Sequence, residues 1–273
     1  MSKKVVLITG ASSGFGKFTA LELIKKGYIV YGAARRVEQM NELVSAGGKA
    51  IKMDVTQDDS VKSGVDQIIE KEGRIDALVN NAGFGSYGFI ETTNIDHMKR
   101  MYDVNVWGLV RVSQHVLPHM RKMQKGSIVN ISSIVGKVST AFLGFYASSK
   151  HAVEALSDAM RQEVKRFGIN VSIVEPGAFS TGFDDVVLKE LEAVNPGEAY
   201  QPIVDNFIPY FKKMYEKAPS PEPVVNAIIK AIEEKNPKTR YAVGMDAKGG
   251  IMMKGLLGDR TFDNMMLGQM KMK

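Results

Sequence analysis

A tyrosine and a lysine stand four residues apart in the segment FYASSKH, as Tyr146 and Lys150. On a helix, residues i and i+4 lie on the same face, so the phenol and the ammonium would be neighbours. Free tyrosine, with a pKa of ~10, holds its proton too tightly to act as a base at neutral pH. A cation within ~4–6 Å stabilises the phenolate and lowers that pKa. The pair is therefore a candidate for acid–base chemistry, and the alternative is a phenol ring packed under the lysine stem.

Three glycines, Gly10, Gly14 and Gly16, directly follow an apolar run in the segment VVLITGASSGFG. Glycine allows the backbone to turn sharply and to approach a phosphate without a Cβ in the way. The exposed N–H groups and the dipole at the start of the following helix favour a pyrophosphate. A strand, this turn and a helix in that order predict a dinucleotide site. The alternative is a tight turn that binds no ligand.

Short apolar runs alternate with segments of helical spacing through most of the chain. This alternation predicts a parallel sheet covered by helices on both faces. The number of units fits a doubly wound α/β fold with about seven strands. The predicted strands are 5–9, 29–33, 50–55, 77–81, 127–132, 170–176 and 239–244, and the predicted helices include 15–26, 60–72, 96–123, 146–167 and 221–235.

The sequence shows no domain boundary, and residues 1–273 are predicted to form a single domain. After Pro176 the pattern changes, because residues at about 178–220 carry aromatics, acids and prolines without a strand period. This segment is interpreted as a substrate-binding insertion. The tail at about 249–273 is rich in methionine, which is more typical of core or subunit contacts than of a functional segment.

Composition and spacing exclude several classes of protein. The net charge of +6, from 36 basic and 30 acidic residues, is spread through the chain without a nucleic-acid motif, so no nucleic-acid partner is expected. The absence of cysteine excludes disulfides and thiolate metal sites. His115 and His119 have metal-ligand spacing, but Pro118 separates them and no carboxylate is spaced to help, so no metal is expected.

No apolar stretch reaches the ~20 residues of a membrane span, and the first is too short for a signal peptide, so a cytoplasmic protein is expected.

Seven motifs make the chain resemble the short-chain dehydrogenase/reductase family. They occur in the family's order and spacing: TGASSGFG (9–16), DV (54–55), NNAG (80–83), NVWG (105–108), ISS (131–133), Y-x-x-x-K (146–150) and PGAFST (176–181). The resemblance implies a Rossmann-type fold. The long insertion, the EPG after the sixth strand and the GDRTFDNMM near the end resemble the branch with 17β-hydroxysteroid and retinol dehydrogenases.

The resemblance also implies roles for four residues. Tyr146 would donate the proton to a carbonyl oxygen in reduction and take it back in oxidation. Lys150 would lower the pKa of Tyr146 and bind the nicotinamide ribose. Ser133 would hydrogen-bond the substrate oxygen, and Asn105 would hold a water that connects Lys150 to solvent.

The cofactor implied is a nicotinamide dinucleotide, with NADP(H) preferred and NAD(H) as the alternative. A carboxylate at the end of the second strand would select NAD, but that position is Ala34, followed by Arg35 and Arg36. An arginine can hold a 2′-phosphate in a bidentate grip, with Arg35 the first choice. The full set of predicted cofactor contacts is Gly10, Ser12, Ser13, Gly14, Phe15, Gly16, Arg35, Arg36, Asp54, Val55, Asn81, Ala82, Gly83, Tyr146, Lys150, Pro176, Gly177 and Thr181.

The substrate is expected between the nicotinamide and the insertion. The candidate walls are largely apolar, which favours an uncharged, lipophilic ketone or secondary alcohol resembling a steroid, retinoid or other lipid. The candidate substrate contacts are Ser133, Val135, Phe142, Tyr146, Phe179 and Phe183, with Phe84 and Tyr87 as further wall positions.

Three other functions are alternatives to that of a carbonyl reductase. They are an NAD(H)-dependent alcohol dehydrogenase, an epimerase or dehydratase, and a non-catalytic dinucleotide sensor. The epimerases and dehydratases usually carry a G-x-x-G-x-x-G loop and a longer C-terminus, and the sensors usually lose the tyrosine or serine. Family members commonly pair through two long helices, here 96–123 and 146–167, so a homodimer or homotetramer is expected.

Overall fold

A parallel sheet of seven strands organises the computed structural model, which describes residues 3–182 and 196–270. The strands lie in the order β3-β2-β1-β4-β5-β6-β7, and each neighbouring pair is parallel. The predicted α/β fold with a doubly wound parallel sheet is therefore confirmed. The strands are β1 Val5–Thr9, β2 Ile29–Ala34, β3 Lys49–Lys52, β4 Ala77–Asn80, β5 Gly126–Ile131, β6 Ile169–Pro176 and β7 Arg240–Val243.

Helices cover both faces of this sheet. Most connect one strand to the next, as right-handed crossovers between parallel strands require. The helices are α1 Gly14–Lys25, α2 Asn41–Ser45, α3 Asp58–Glu72, α4 Ile95–Tyr102, α5 Leu109–Lys122, α6 Gly144–Val164, α7 Gln201–Glu216, α8 Glu222–Glu233, α9 Met245–Leu256 and α10 Asp259–Gln269. Within the described ranges, no helix combines the length and the apolarity needed to cross a bilayer.

Two buried cores result from the alternation of side chains along the strands. On one face, Val6 and Ile8 of β1 pack with residues of α1 and α8. On the other face, Val5 and Leu7 pack with residues of α3, α5 and α6. Because both faces are buried, the inner strands are largely apolar runs, which explains why the sequence identified them, whereas the edge strands β3 and β7 are partly exposed.

The strand order reverses direction at β1. The chain proceeds from β1 to β2 and β3 on one side, and then returns to place β4 on the other side of β1. In open α/β sheets, the crevice at the carboxyl ends of the strands flanking such a switch point is where ligands bind. The glycine loop after β1 and the NNAG segment after β4 both begin at this crevice.

The predicted helix at 96–123 is interrupted. A π-helical turn at Asp103–Gly108 joins α4 to α5 and carries Asn105. Turns of this type are frequent at functional sites, since the extra residue re-aims one side chain. The methionine-rich tail forms α9 and α10, which the sequence did not predict. Residues 183–195 of the predicted insertion lie outside the described residues.

A buried amide network connects the middle of the sheet to two helices. Asn80 Nδ2 donates to Asn130 Oδ1 at 2.9 Å and to Ser113 Oγ at 3.0 Å. Asn130 Nδ2 in turn donates to Ser157 Oγ at 2.8 Å. The network therefore joins β4 and β5 to α5 and to α6, the helix that bears Tyr146 and Lys150.

We expect Asn130→Ala to lower the free energy of unfolding by about 2–3 kcal/mol, because it removes the two buried hydrogen bonds to Asn80 and Ser157. Urea unfolding followed by circular dichroism measures the change. As a control, Asn264→Ala on exposed α10 should change stability by less than about 0.5 kcal/mol. Equal effects of the two substitutions would contradict a stabilising role for the network.

Candidate active site

The glycine loop has the backbone shape that a phosphate site requires. Gly10 and Gly14 have φ values of +65° and +54°, in the left-handed region that favours glycine. A Cβ at Gly10 would lie 2.8 Å from Ala82 Cα, and one at Gly16 would collide with Asn81 Nδ2. At Gly14, by contrast, the nearest atom is Thr181 Cβ at 3.9 Å. The lack of a side chain at Gly10 and Gly16 thus allows the loop to pack closely against the segment after β4. The lack of one at Gly14 leaves open space beside the start of α1.

Asn81 holds the glycine loop in place. Its Nδ2 donates to Thr9 O at 3.0 Å and to Gly10 O at 3.1 Å. The Thr9 hydroxyl accepts hydrogen bonds from the backbone N–H groups of Asn81 and Ala82, both at 3.0 Å. The sequence predicted that Asn81 contacts the cofactor, but in the structure its side-chain amide nitrogen is engaged by the protein. A fixed loop is nevertheless what allows backbone N–H groups to act as a preorganised phosphate site.

A cleft of about 210 Å³ lies at the carboxyl ends of β2 and β3. Its lining includes Lys52, together with Arg35 and Asp54, which the sequence predicted to contact the adenosine end of the cofactor. Lys52 was missed by sequence reasoning, because only the parallel pairing of β2 with β3 places it beside Ala34. Arg36 is exposed and is not part of this lining.

Asp54 and Val55 are fixed by local contacts. Asp54 Oδ1 accepts from Thr56 N at 3.0 Å and from Thr56 Oγ1 at 2.8 Å. Val55 is buried in the core beside α3, and its carbonyl accepts a hydrogen bond from Arg111. The DV motif therefore shapes the wall of the cleft through backbone and core contacts as well as through its carboxylate.

Tyr146 and Lys150 lie on one face of α6, as the spacing predicted. Lys150 is only 6% exposed, and its Nζ donates to Ile131 O at 2.8 Å. Nζ lies 5.8 Å from the centroid of the Tyr146 ring. A buried ammonium held by one carbonyl retains donors for another acceptor in the same pocket.

Burial dominates the protonation of this pair. It raises the pKa of Tyr146 to about 12, and a hydrogen bond with Ser133 opposes the rise. Burial also lowers the pKa of Lys150 to about 8, against the effect of the negative charge of Glu154. The spacing alone predicted a lowered pKa for Tyr146, but in this structure the loss of solvation has the larger effect. At neutral pH both groups therefore carry their protons.

Ser133 and Asn105 complete the constellation. Ser133 bonds with Tyr146, and its Oγ lies within 3.4 Å of Pro176 O, to which it donates. Asn105 Nδ2 donates to Phe84 O at 2.8 Å, and its Oδ1 accepts from Phe84 N at 3.0 Å.

Gly83 separates Asn105 from the lysine. A Cβ placed on Gly83 would lie 3.0 Å from Asn105 Oδ1 and 3.7 Å from Lys150 Nζ. The four predicted catalytic side chains, which come from three different segments, are thus brought together at the carboxyl edge of the sheet.

The PGAFST segment closes toward the glycine loop. Thr181 faces Gly14, and Gly177 leaves no room for a Cβ because Asp246 of α9 lies against it. Asp246 Oδ2 accepts from Ala178 N at 2.7 Å, which fixes the segment from the side of the tail. Sequence reasoning missed Asp246, since nothing in the sequence at the start of α9 indicates a contact with residue 178.

The aromatic residues predicted as substrate walls are largely packed against protein. Phe142 stacks on Phe207 of α7 at 4.7 Å between ring centroids, and Tyr87 meets Phe211 edge-on at 5.4 Å. Phe179 packs edge-on against Phe15 at 6.0 Å, so the predicted cofactor contact Phe15 also serves the core. These rings therefore belong to the packed interior of the protein.

The remaining wall positions differ in exposure. Val135 is buried, whereas Phe84 is half-buried and packs edge-on against His97 at 6.0 Å. Phe183 lies outside the described residues.

The residues at the crevice fit a dinucleotide. The start of α1 has no side-chain cap, so its N–H groups can meet a phosphate beside the open space at Gly14. Arg35 and Lys52 lie at one end of the crevice and the buried Lys150 at the other. Fold and site together define a dinucleotide-binding oxidoreductase.

Comparison with known proteins places this class more narrowly. A family model described as short chain dehydrogenase matches residues 4–192, and the chain belongs to this family. A 3-ketodihydrosphingosine reductase of Bacteroides thetaiotaomicron is 40% identical over 248 residues, 89% of each chain. The 17-beta-hydroxysteroid dehydrogenase type 6 of Rattus norvegicus is 35% identical over 261 residues, 90% of this chain and 82% of the relative. The predicted family and branch are confirmed.

Solved structures support the same family assignment. A short-chain dehydrogenase from Streptomyces avermitilis matches with a TM-score of 0.81 at 32% identity, over 99% of this chain and 98% of that one. ElxO with NADP bound matches with a TM-score of 0.72 at 30% identity, over 88% of this chain and 96% of that one. A relative with this fold therefore binds a nicotinamide dinucleotide.

We expect Gly14→Ala to raise the dissociation constant of a reduced nicotinamide dinucleotide at least about tenfold, because the Cβ would occupy the phosphate space. The matched control is Gly27→Ala, whose φ of +86° is also left-handed and whose Cβ meets nothing within 4 Å. Both substitutions should lower stability by about 1–2 kcal/mol through backbone strain. Cofactor fluorescence titration measures binding, and unchanged affinity in Gly14→Ala would place the phosphates elsewhere.

Proposed function

We propose that the protein is an NADP(H)-dependent reductase of uncharged, lipophilic ketones, or the reverse dehydrogenase of the corresponding secondary alcohols. The observation that carries this proposal is the Tyr146 hydroxyl, hydrogen-bonded to Ser133 and buried beside Lys150. The bound nicotinamide supplies the hydride. The protein must then supply a proton to the carbonyl oxygen, and a protonated phenol is placed to do so.

The protonation states favour reduction at neutral pH. A pKa of about 12 keeps Tyr146 protonated and therefore able to donate to an oxygen on which negative charge develops. A charged Lys150 stabilises the phenolate that this donation leaves behind. With substrate bound, the Ser133 hydroxyl would turn from Pro176 O to donate a second hydrogen bond to the same oxygen, and so fix its position relative to Tyr146.

The adenosine end supports NADP(H) over NAD(H). The end of β2 carries Ala34 in place of a carboxylate, and Arg35 and Lys52 line the adjoining cleft. Two cations beside one carboxylate, Asp54, favour the 2′-phosphate that distinguishes the phosphorylated cofactor. The relative ElxO, with NADP bound in its solved structure, is consistent with this preference.

The substrate proposal rests on the apolar surroundings of the site and on the named relatives. The aromatic cluster formed by Tyr87, Phe89, Phe142, Phe207 and Phe211 offers no charged group to grip a carboxylate. One relative is a 3-ketodihydrosphingosine reductase and another a 17-beta-hydroxysteroid dehydrogenase, whose names denote lipophilic molecules. A lipid-like ketone is therefore the substrate class that we propose.

The assembly that we propose is a homodimer or homotetramer of single-domain chains. Trp107, in the π-helical turn, is 53% exposed, and Ile95 at the start of α4 is 56% exposed. Large apolar side chains this exposed on neighbouring helical segments suit a contact with a second copy. Sedimentation equilibrium of the wild type and of Trp107→Glu would test this assignment.

We expect Tyr146→Phe to lower kcat for ketone reduction by roughly 10²–10⁴-fold, because the proton donor is removed. NADPH affinity should change little, since the ring and Lys150 are retained. Initial rates of NADPH consumption with a panel of lipophilic ketones provide the measurement. Tyr28→Phe, which removes a hydroxyl bonded to Glu233 far along the chain, is the control and should retain full activity. Turnover close to wild type in Tyr146→Phe would exclude Tyr146 as the proton donor.

We expect Arg35→Ala to weaken NADPH binding by about 10–100-fold and NADH binding much less, because it removes a charged hydrogen bond to the 2′-phosphate. The control is Arg36→Ala, which removes a neighbouring arginine that does not line the cleft. Fluorescence titration with NADPH and with NADH measures the affinity of each variant for each cofactor. Equal losses for NADPH and NADH would mean that Arg35 does not read the 2′-phosphate, and tighter NADH binding by the wild type would favour the NAD(H)-dependent alternative.

A further inference from the structure

One bulky residue beside the catalytic helix has a strained backbone. Phe142 lies four residues before Tyr146 and has a φ of +67°, in the left-handed region. In the described ranges, exposed Gln124 is the one other non-glycine residue with a positive φ. A side chain makes this conformation about five- to thirtyfold less favourable than it is for glycine. Since such strain persists only where the surroundings impose it, the contacts of Phe142 must hold it in place.

Two rings from different segments hold the ring of Phe142. The Phe142 side chain is buried, with 4% of its surface exposed. Its ring centroid lies 4.4 Å from that of Phe89, in the loop after β4, and 4.7 Å from that of Phe207, on α7. Rotation of φ out of the left-handed region would turn the ring away from both neighbours. These two contacts therefore stabilise the strained backbone.

Further contacts connect the same loop to the start of α6. The Phe142 carbonyl accepts a hydrogen bond from Gly88 N at 2.9 Å. Gly144, the first residue of α6, lies so close to the loop that a Cβ on it would be 2.6 Å from Ile90 Cδ1. The loop after β4 thus contacts the chain on both sides of Leu143.

The first turn of α6 depends on these contacts, because no side chain caps it. Leu143 occupies the position before the helix and makes no capping hydrogen bond with its side chain. Tyr146 is the third residue of the helix, and its hydroxyl bonds to Ser133, which comes from a separate segment. The direction in which the chain leaves Phe142 therefore sets the position of the phenol relative to Ser133.

A second set of contacts ties α7 to the loop after β4. Tyr200, which precedes α7, stacks on Phe89 at 4.1 Å between ring centroids. Its hydroxyl donates to Glu91 Oε2 at 2.5 Å. The packing of α7 against the loop thus keeps Phe89 and Phe207 in place independently of Phe142.

We propose that Phe142 is a positioning residue for Tyr146. The rings of Phe89 and Phe207 hold Phe142 in the left-handed conformation, and this conformation places the proton donor at the start of α6. The proposal rests on the proposed function, because the position of Tyr146 matters to the reaction only if Tyr146 supplies the proton. A residue that served only to fill the core would need its ring and not its backbone conformation, and experiment can separate these two requirements.

The first test compares Phe142→Gly with Phe142→Ala in the full-length enzyme. Both substitutions remove the ring, but glycine adopts the left-handed conformation without strain, whereas alanine does not. We expect kcat for ketone reduction to be at least about fivefold higher in Phe142→Gly than in Phe142→Ala. NADPH affinity should be similar in both variants. Equal kcat values, or a lower kcat in Phe142→Gly, would overturn the proposal.

The second test changes a partner ring and leaves residue 142 intact. We expect Phe207→Leu to lower kcat by about fivefold with NADPH affinity unchanged, because Phe142 loses one of the rings that hold its strained backbone. Adding Phe142→Gly to Phe207→Leu should raise kcat again, although it removes a second buried ring. A further fall in kcat would mean that packing alone matters and would overturn the proposal. The control Phe262→Leu truncates a buried ring on α10 outside this cluster and should leave kcat close to that of the wild type.

Backbone NMR of the full-length protein provides a readout that does not depend on activity. Chemical shifts and the HN–Hα coupling at residue 142 should report a left-handed φ in the wild type and in Phe262→Leu, and a loss of it in Phe207→Leu. A negative φ in the wild type, or an unchanged φ in Phe207→Leu, would overturn the proposal. The expected NMR changes in a protein that reduces no ketone would instead contradict the proposed function. If both variants of residue 142 fail to fold, equal kcat values in Phe207→Leu and Phe262→Leu would overturn the proposal.

Discussion

All seven strands of the sheet run in the same direction, and the site depends on this constraint. Every segment that follows a strand emerges at one edge, so residues far apart in the chain meet there. Gly10 after β1, Asn81 after β4 and Ser133 after β5 are brought together in this way. The reversal of strand order at β1 opens the crevice between them. No single loop could provide both the phosphate site and the proton donor.

Desolvation is the second effect on which the site depends. It raises the pKa of Tyr146 and lowers the pKa of Lys150. Burial keeps the proton on Tyr146, which suits donation to a carbonyl oxygen. The same burial weakens the hold of Lys150 on its proton. Glu154, one turn further along α6, partly compensates for this loss. The protonation of Lys150 thus depends on the charge of Glu154 as well as on burial.

The candidate substrate walls show how packing reassigns residues that sequence patterns single out. Phe142 and Tyr87 are aromatic residues near the catalytic motif, but α7 approaches them and its Phe207 and Phe211 contact their rings. The cluster is a third core. Asp246 shows the converse, because a residue in an unremarkable tail secures the segment after β6. Contacts between residues so distant in sequence leave no local periodicity or motif.

The sequence by itself determined the family, the positions of the strands and of helices α1, α3, α6 and α8, and the candidate catalytic set. It could do so because buried parallel strands are apolar runs, and because chemistry at a phosphate or a carbonyl restricts residue types at fixed spacing. Only the tertiary structure decided that Lys52 lies beside Arg35, that Asn81 holds the glycine loop, and that burial raises the pKa of Tyr146. These properties depend on which distant segments meet and how much water they exclude. Short-range patterns encode neither quantity, since both arise from packing across the whole sheet.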